Sequence, residues 1–440
     1  MQGERRPAGA GRRKGKYVRP VLIAAGLVVV VASTFWLLSD WRSAEERLAE
    51  FEAARAIPDS ENAATIYNEL VQDPNLASLD EILWDDSLEG ALERAGDGPW
   101  LTEECPEVAA WIAKYAHVID RLVEASQFDQ CRFPISPEFN DGNDTGRDIA
   151  MSSWMCLLGC ALNNDLGEGR IDEAVTKWRC GIQMENHLWQ QPWNAPIAGA
   201  GRGAIESIIR FIVTANPSDA NLRQIEALPL PVANDWPQYY REIQLVEGLR
   251  HWREMEPLGL WEQIRYRYTN HRVESDFADL FEQIGSSVSY LRFLAGARAV
   301  RILVAAKRHV YETGHWPNSL DELKSSLSSE VLTDPLSDGP FVYERVADSF
   351  RLYSKGRNKV DEDGQWESRG PDDWCFWSPL LVERKQKARD KRRKARAEDE
   401  AATLEPQSSA TEADYEMLKK LAEIYGDRYR IDRQADANDR

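Results

Sequence analysis

The sequence predicts a mainly α-helical protein: one transmembrane helix, an exported body of helical hairpins and a small α+β module near the C-terminus. Three observations carry this. Residues 21–38 form the one long uncharged apolar run in the chain. From residue 42 to about 295, apolar residues recur at helical spacing between separators that carry Pro and Gly. Beyond about residue 298 the pattern changes to two short alternating segments, 341–345 and 350–354, at the spacing of strands.

The apolar run sets the topology. Eighteen residues at about 1.5 Å each give a helix of roughly 27 Å, enough to cross the hydrocarbon core of a bilayer. Arg5, Arg6, Arg12, Arg13, Lys14, Lys16 and Arg19 precede it against one acid, Glu4. Positive flanks stay in the cytoplasm, so the N-terminus is expected inside and the rest of the chain outside a bacterial cytoplasmic membrane. A cleaved signal peptide would have a shorter apolar region with small residues behind it. Here the run ends in Phe35-Trp36-Leu37-Leu38, and no cysteine follows to accept a lipid.

The formal charge of −19 understates the acidity of the exported part, because the first twenty residues are strongly basic. An acidic body stays soluble, repels anionic polymers and attracts divalent cations, so nucleic acid is not an expected partner. Six cysteines suit an exported chain without demanding a disulfide framework. Cys156 and Cys160 lie one helical turn apart, and Cys180 on the next helix stands at a level to face them, so one bridge is expected there. Cys105 and Cys131 flank a helix whose length the return segment cannot cover. Cys375 lies in an apolar strand and reads as a buried thiol.

The expected helices of the body follow in order. A charged juxtamembrane helix ends near Pro58, and Asp59 or Ser60 caps the next, with Ala64, Tyr67 and Leu70 on its inner face. Others are expected at about 77–95, 107–126, 148–165, 171–189, 196–214, 218–227, 237–256 and 275–311. Gly96-Asp97-Gly98-Pro99 is a turn signal between two of them. Trp154, Leu157, Leu158 and Ala161, then Gly167 and Gly169, then Ala174 and Trp178, form one helix–turn–helix unit. It resembles the hairpin of tetratricopeptide repeats, in which small and aromatic residues interlock two antiparallel helices. Gly199-Ala200-Gly201-Arg202-Gly203 lacks the spacing and the Gly-Lys-Ser of a phosphate loop, so it is read as a close helix contact.

The C-terminal module opens with an amphipathic helix over 301–311. It runs into Gly314-His315-Trp316-Pro317-Asn318-Ser319-Leu320-Asp321-Glu322-Leu323, where Ser319 is expected to cap a short helix. Then come Thr333-Asp334-Pro335, a hairpin turning at Ala347-Asp348, an acidic loop from Gly356 to Gly364, and a third strand from Asp372-Asp373-Trp374-Cys375-Phe376-Trp377. This order resembles the C-terminal part of the major, G-type pseudopilins of type II secretion. It resembles still more a version in anchored envelope proteins of planctomycete-type bacteria. The chain departs from pilins in lacking their leader and in placing a long helical body between membrane helix and module, so polymerisation is not expected.

The resemblance implies calcium in the final loop. Asn358 falls at the first loop ligand of that pattern, and Asp372 and Asp373 at its closing acids; Asp361 and Asp363 are additional candidates from the loop's own acidity. Carbonyls of Leu352 and Ser354 would complete a shell of six to eight oxygens.

Other chemistry is not signalled. His117, His187, His251, His271, His309 and His315 form no HExxH and none pairs with another at helical spacing, so zinc is not expected. No GxSxG, CxxC or HGGG-type segment occurs. Among sixteen tryptophans, Trp189, Trp193, Trp366, Trp374 and Trp377 are the candidates for stacking on sugars, with knobs between helices the commoner use. The tail holds a basic run over 384–396 and then a terminal amphipathic helix with Tyr415, Leu418, Leu421, Ala422, Tyr425 and Tyr429 on one face, a docking element for a protein partner or a second copy. The chain thus divides into a basic cytoplasmic tail (1–19), an anchor (20–40), a helical-hairpin domain (41–295), a pilin-like module (296–378) and a charged, partly disordered tail (379–440). The expected function is a non-enzymatic, single-pass envelope scaffold with protein partners, linked to secretion or surface assembly. The alternative is a glycan-processing hydrolase or glycan-binding protein.

Overall fold

The computed structural model describes residues 44–76, 86–134, 142–191, 200–229, 286–365 and 372–380, with single positions at 79, 231, 382, 383, 387, 391 and 394. The apolar run at 21–38, the helix expected at 237–256 and the terminal amphipathic helix lie outside these residues. Among the described residues, no helix is long and apolar enough to cross a membrane. The described fold is mainly helical, with a small antiparallel sheet. Its helices are α1 (Ala44–Arg55), α2 (Ala63–Gln72), α3 (Asp86–Asp97), α4 (Pro106–Lys114), α5 (Ala116–Ala125), α6 (Gly142–Gly167), α7 (Ile171–Trp189), α8 (Ala200–Thr214), α9 (Asp219–Glu226), α10 (Ser286–Thr313) and α11 (Ser329–Leu332). The strands β1 (Val342–Val346), β2 (Ser349–Ser354) and β3 (Trp374–Trp377) form one sheet in the order β1-β2-β3.

A first core gathers α2 to α6. Boundaries differ from the sequence reading in three places, α6 beginning six residues before the expected 148. Asp59–Glu61 form a 3-10 turn, and Asn62 caps α2, its side chain accepting from Ala64 N at 3.1 Å. Asn62 also accepts from Arg132 N and donates to Arg132 O, so one side chain caps a helix and pins a distant strap. The helix expected at 107–126 is two helices, α4 and α5, broken at Tyr115 (φ −106°, ψ 21°). There the Tyr115 ring is buried edge-on to Trp111. Burying an aromatic ring of this size outweighs one lost helical bond.

The α6–α7 hairpin is the wall shared by the two cores. Cys180, Met184 and Leu188 of α7 face the first core, while Ala174, Val175, Trp178, Ile182 and Trp189 face the second. Its turn uses Gly169 (φ 75°), and Arg170 N bonds back to Asp165 O at 2.8 Å, a six-to-one C-cap bond. Buried Asp165 accepts from Arg170 Nε at 2.9 Å and Lys177 Nζ at 2.6 Å, locking the two helices at the turn. Gly167 is fixed by contact, since a Cβ there would overlap the Trp100 backbone.

A helix buried on both sides must satisfy its polar side chains inside. His187, fully buried, faces Tyr67 Oη at 2.9 Å through Nδ1 and the Phe128 carbonyl at 2.8 Å through Nε2. A carbonyl only accepts, so Nε2 carries the proton and Nδ1 accepts from Tyr67. Burial, first of the causes, lowers the His187 pKa from 6.5 to about 4. All six cysteines are free thiols, which corrects the bridge expected from Cys180 to Cys156 or Cys160. Cys180 is hydrogen-bonded with Ser126, and Cys156 and Cys160 hydrogen-bond each other along their own helix. Cys375 is half-buried rather than buried.

The second core runs from α7 and α8 through α9 and α10 into the sheet. Gly201 does what the sequence reading asked, because a Cβ there would collide with Phe293 and Glu185; Gly203 meets nothing. Arg301 of α10 donates to the carbonyls of Ile225, Glu226 and Leu228, closing the C-terminus of α9 with a cation. Gly314 (φ 82°) ends α10, with its N–H on Val310 O. Ser319 precedes a 3-10 turn, Leu320–Leu323, without a side-chain cap bond. Phe350 stacks on Tyr343 (5.4 Å) and meets Trp316 (4.6 Å), seating the sheet against the turn that follows α10.

Candidate cation site

The site is built where β2 ends and β3 begins. Asp334, in the Asp-Pro turn, is fully buried and accepts from Leu336 N at 3.0 Å, Ser354 Oγ at 2.7 Å and Ser337 Oγ. Ser354 Oγ accepts in turn from Gly356 N at 3.0 Å, so this carboxylate anchors the start of the acidic loop to the end of β2. Gly356 is left-handed (φ 65°) and lies against Asp372, whose carboxylate would overlap any Cβ there. Lys359 and Asp363 are also left-handed (φ 60° each), which folds the loop back on itself. A register shift between Leu352 and Tyr353 bends β2 against β3 beside the site, a usual place for a bulge.

Within this frame, carboxylate oxygens of Glu362, Asp372 and Asp373 lie within 4.8 Å of one another. Asp372 Oδ2 accepts from Arg357 N (3.0 Å) and Asn358 N (3.3 Å). Asp373 Oδ2 accepts from Glu362 N and Gly364 N, both at 2.8 Å. Glu362 Oε1 accepts from Asn358 Nδ2 at 3.0 Å, and Oε2 from Asp372 N at 2.7 Å. The remaining oxygens, Asp372 Oδ1 and Asp373 Oδ1, are buried and have no hydrogen-bond partner. Burial raises the Asp373 pKa; hydrogen bonds from Gly364 and Glu362 work against this, and the charges of Asp361 and Glu362 add to it. Two orphaned carboxylate oxygens beside a third carboxylate are costly unless a cation completes them. The oxygen-only donor set fits a hard divalent ion.

Of the five ligands read from the sequence, the structure brings Asp372 and Asp373 together and adds Glu362, which the sequence reading missed. The other three serve the loop. Asn358 Oδ1 accepts from Val360 N at 2.7 Å. Asp361 accepts from Tyr353 Oη at 2.9 Å and pairs with Lys355 at 3.3 Å. Asp363 stands 3.8 Å from Arg351. Leu352 and Ser354 lie in the central strand. Three consecutive acids at 361–363 are equivalent in a linear reading; the left-handed turns at Lys359 and Asp363 decide which one enters.

Behind β3, a cavity of about 140 Å³ lies between the sheet, α8 and α10, lined in part by Glu185, Arg202, Glu206, Arg292, Trp374 and Trp377. Both acids are engaged. Glu185 accepts from Trp189 Nε1 and Gly201 N, each at 3.0 Å, and Glu206 pairs with Arg202 at 3.0 Å. Guanidinium groups of Arg202 and Arg292 lie 4.5 and 4.3 Å from the Trp374 ring centre, on the surface a sugar would need. Trp189 is a core knob against Tyr290, while Trp193 and Trp366 lie outside the described residues. Comparison of the chain with family models, with characterised proteins and with solved structures finds no match.

Proposed function

We propose that this protein is a non-enzymatic, single-pass envelope scaffold whose C-terminal α+β cap is fastened by a calcium ion, serving a secretion or surface-assembly machine through protein contacts. The membrane reading rests on the apolar run at 21–38 and its basic flank. One observation carries the cap's role: the buried, unpartnered oxygens of Asp372 and Asp373 beside Glu362. These three residues would hold the ion, and the ion would supply charge neutralisation that ties the acidic loop to β3. Because β3 carries Trp374, which sits under Arg202 of α8 and Arg292 of α10, fastening β3 also fastens cap to body. The engaged acids of the seam cavity give the hydrolase alternative no support.

The test is unfolding of the detergent-solubilised full chain with calcium and with chelator. Extracellular sites bind at about 0.1–1 mM, so about 2 mM calcium adds roughly 0.6–1.8 kcal/mol. Asp372→Asn retains an acceptor for Arg357 N and Asn358 N and removes the charge, and the increment is expected to vanish in this variant. An equal increment in wild type and variant overturns the assignment.

A further inference from the structure

The turn at the end of α10 brings together three side chains that the sequence keeps apart: His309 of α10, His315 just past it, and Glu322 of the 3-10 turn. We infer that His309, His315 and Glu322 form a second metal site, of the two-imidazole, one-carboxylate class that takes zinc, separate from the oxygen-only acid triad.

The argument is geometric. His309 Nε2 is buried, has no hydrogen-bond partner, and stands 3.3 Å from Glu322 Oε2. That contact fails as a hydrogen bond, yet it matches two donors on one tetrahedral ion. Zinc–nitrogen and zinc–oxygen distances of about 2.0–2.1 Å at the tetrahedral angle separate the donors by about 3.3–3.4 Å. The His315 ring centre lies 5.7 Å from that of His309, against about 5.2 Å for two imidazoles on one tetrahedral ion. His315 Nδ1 faces the Trp316 carbonyl at 3.1 Å and must donate to it, which leaves Nε2 as the acceptor nitrogen. His315 is exposed. Among the described residues only the acid triad already has three ligand atoms within 4.8 Å, so an ion is bound here only if the exposed His315 ring moves toward the His309–Glu322 pair.

The surroundings are those of a built site. Asn318 Nδ2 donates to Glu322 Oε1 at 2.9 Å, and Arg345 Nη1 donates to Asn318 Oδ1 at 2.8 Å. One carboxylate oxygen is thereby held and the other aimed at His309, the support that ligating carboxylates usually receive. Thr313 Oγ1 donates to His315 O at 3.1 Å, and Tyr343 Oη to Pro317 O at 3.0 Å, fixing the turn to α10 and to β1. Three protein ligands leave a fourth position for water or an incoming donor. Bound zinc would staple the end of α10 to the 3-10 turn that follows it.

The experiment uses tag-free, fully reduced, detergent-solubilised full chain in excess calcium, titrated with zinc against a competing chelator and, separately, with cobalt(II). The expected result is one zinc per chain and a tetrahedral cobalt visible spectrum without a thiolate charge-transfer band. Asn318→Ala is expected to weaken binding about 10–100-fold, and His315→Ala or Glu322→Gln, both exposed positions, by more. Asp372→Asn is expected to leave it unchanged. Absence of zinc binding, a thiolate band, or binding unaltered by His315→Ala and Glu322→Gln overturns the inference.

Discussion

The buried His187 offers a quantitative check on the inner wall of the fold. Its ring is held neutral between Tyr67 and the Phe128 carbonyl, with a pKa of about 4 in the folded chain. The unfolded chain titrates near 6.5. The folded value is the depressed one, so the unfolded state takes up the proton first as pH falls. The stability linked to His187 is therefore complete above about pH 6.5, is lost as pH falls toward about 4, and changes no further below that. A shift of this size caps the loss at about 3 kcal/mol, and between about pH 7.5 and 4.5 most of it, about 2–3 kcal/mol, is spent. The comparison is His187→Gln, whose amide retains a donor for Phe128 O and an acceptor for Tyr67 and does not titrate. Urea unfolding of the full chain, followed by tryptophan fluorescence, gives both pH profiles, and their difference isolates His187 from every other titrating group. Identical profiles in wild type and variant would refute the buried neutral imidazole.

Three other outcomes follow from the same geometry. Gly356→Ala forces a Cβ into the Asp372 carboxylate at a left-handed position; a loss of about 2–4 kcal/mol is expected, together with loss of the calcium increment, read in the same unfolding assay. Asp334→Ala strands the hydroxyls of Ser337 and Ser354 and the N–H of Leu336 in a buried place, for a loss of about 3 kcal/mol; an unchanged unfolding midpoint would contradict this. Thiol titration without reductant should count six cysteines in denaturant and only Cys156 and Cys375 reacting readily in the native chain, because burial leads the rise in pKa at Cys131 and Cys180. A denatured count below six would contradict the free thiols.

Much of the helical body was legible because its signals are local. The bounds expected for α7, 171–189, are those observed, and the α6–α7 turn announced itself through Gly167 and Gly169. The hairpin turn at Ala347-Asp348 and the close approach at Gly201 were likewise written in the chain. The failures share one cause. Tyr115 breaks a periodic helix where its ring packs into the first core, and Asn62 displaces Asp59 as cap because it also pins Arg132; both choices are made by tertiary packing.

The chemistry divides the same way. By itself the sequence determined a helical class, a small sheet, and an acidic loop between its last two strands, since composition, periodicity and turn residues act over a few neighbours. Tertiary structure alone decided that Glu362 joins Asp372 and Asp373 while Asp361 and Asp363 turn away, and that His309 faces Glu322 with the His315 ring edge-on beside it. The order of residues limits what can be near. Left-handed turns, a strand bulge and the end of one long helix set what is within 3–5 Å, and at that range desolvation and charge determine whether a side chain serves a loop or holds an ion.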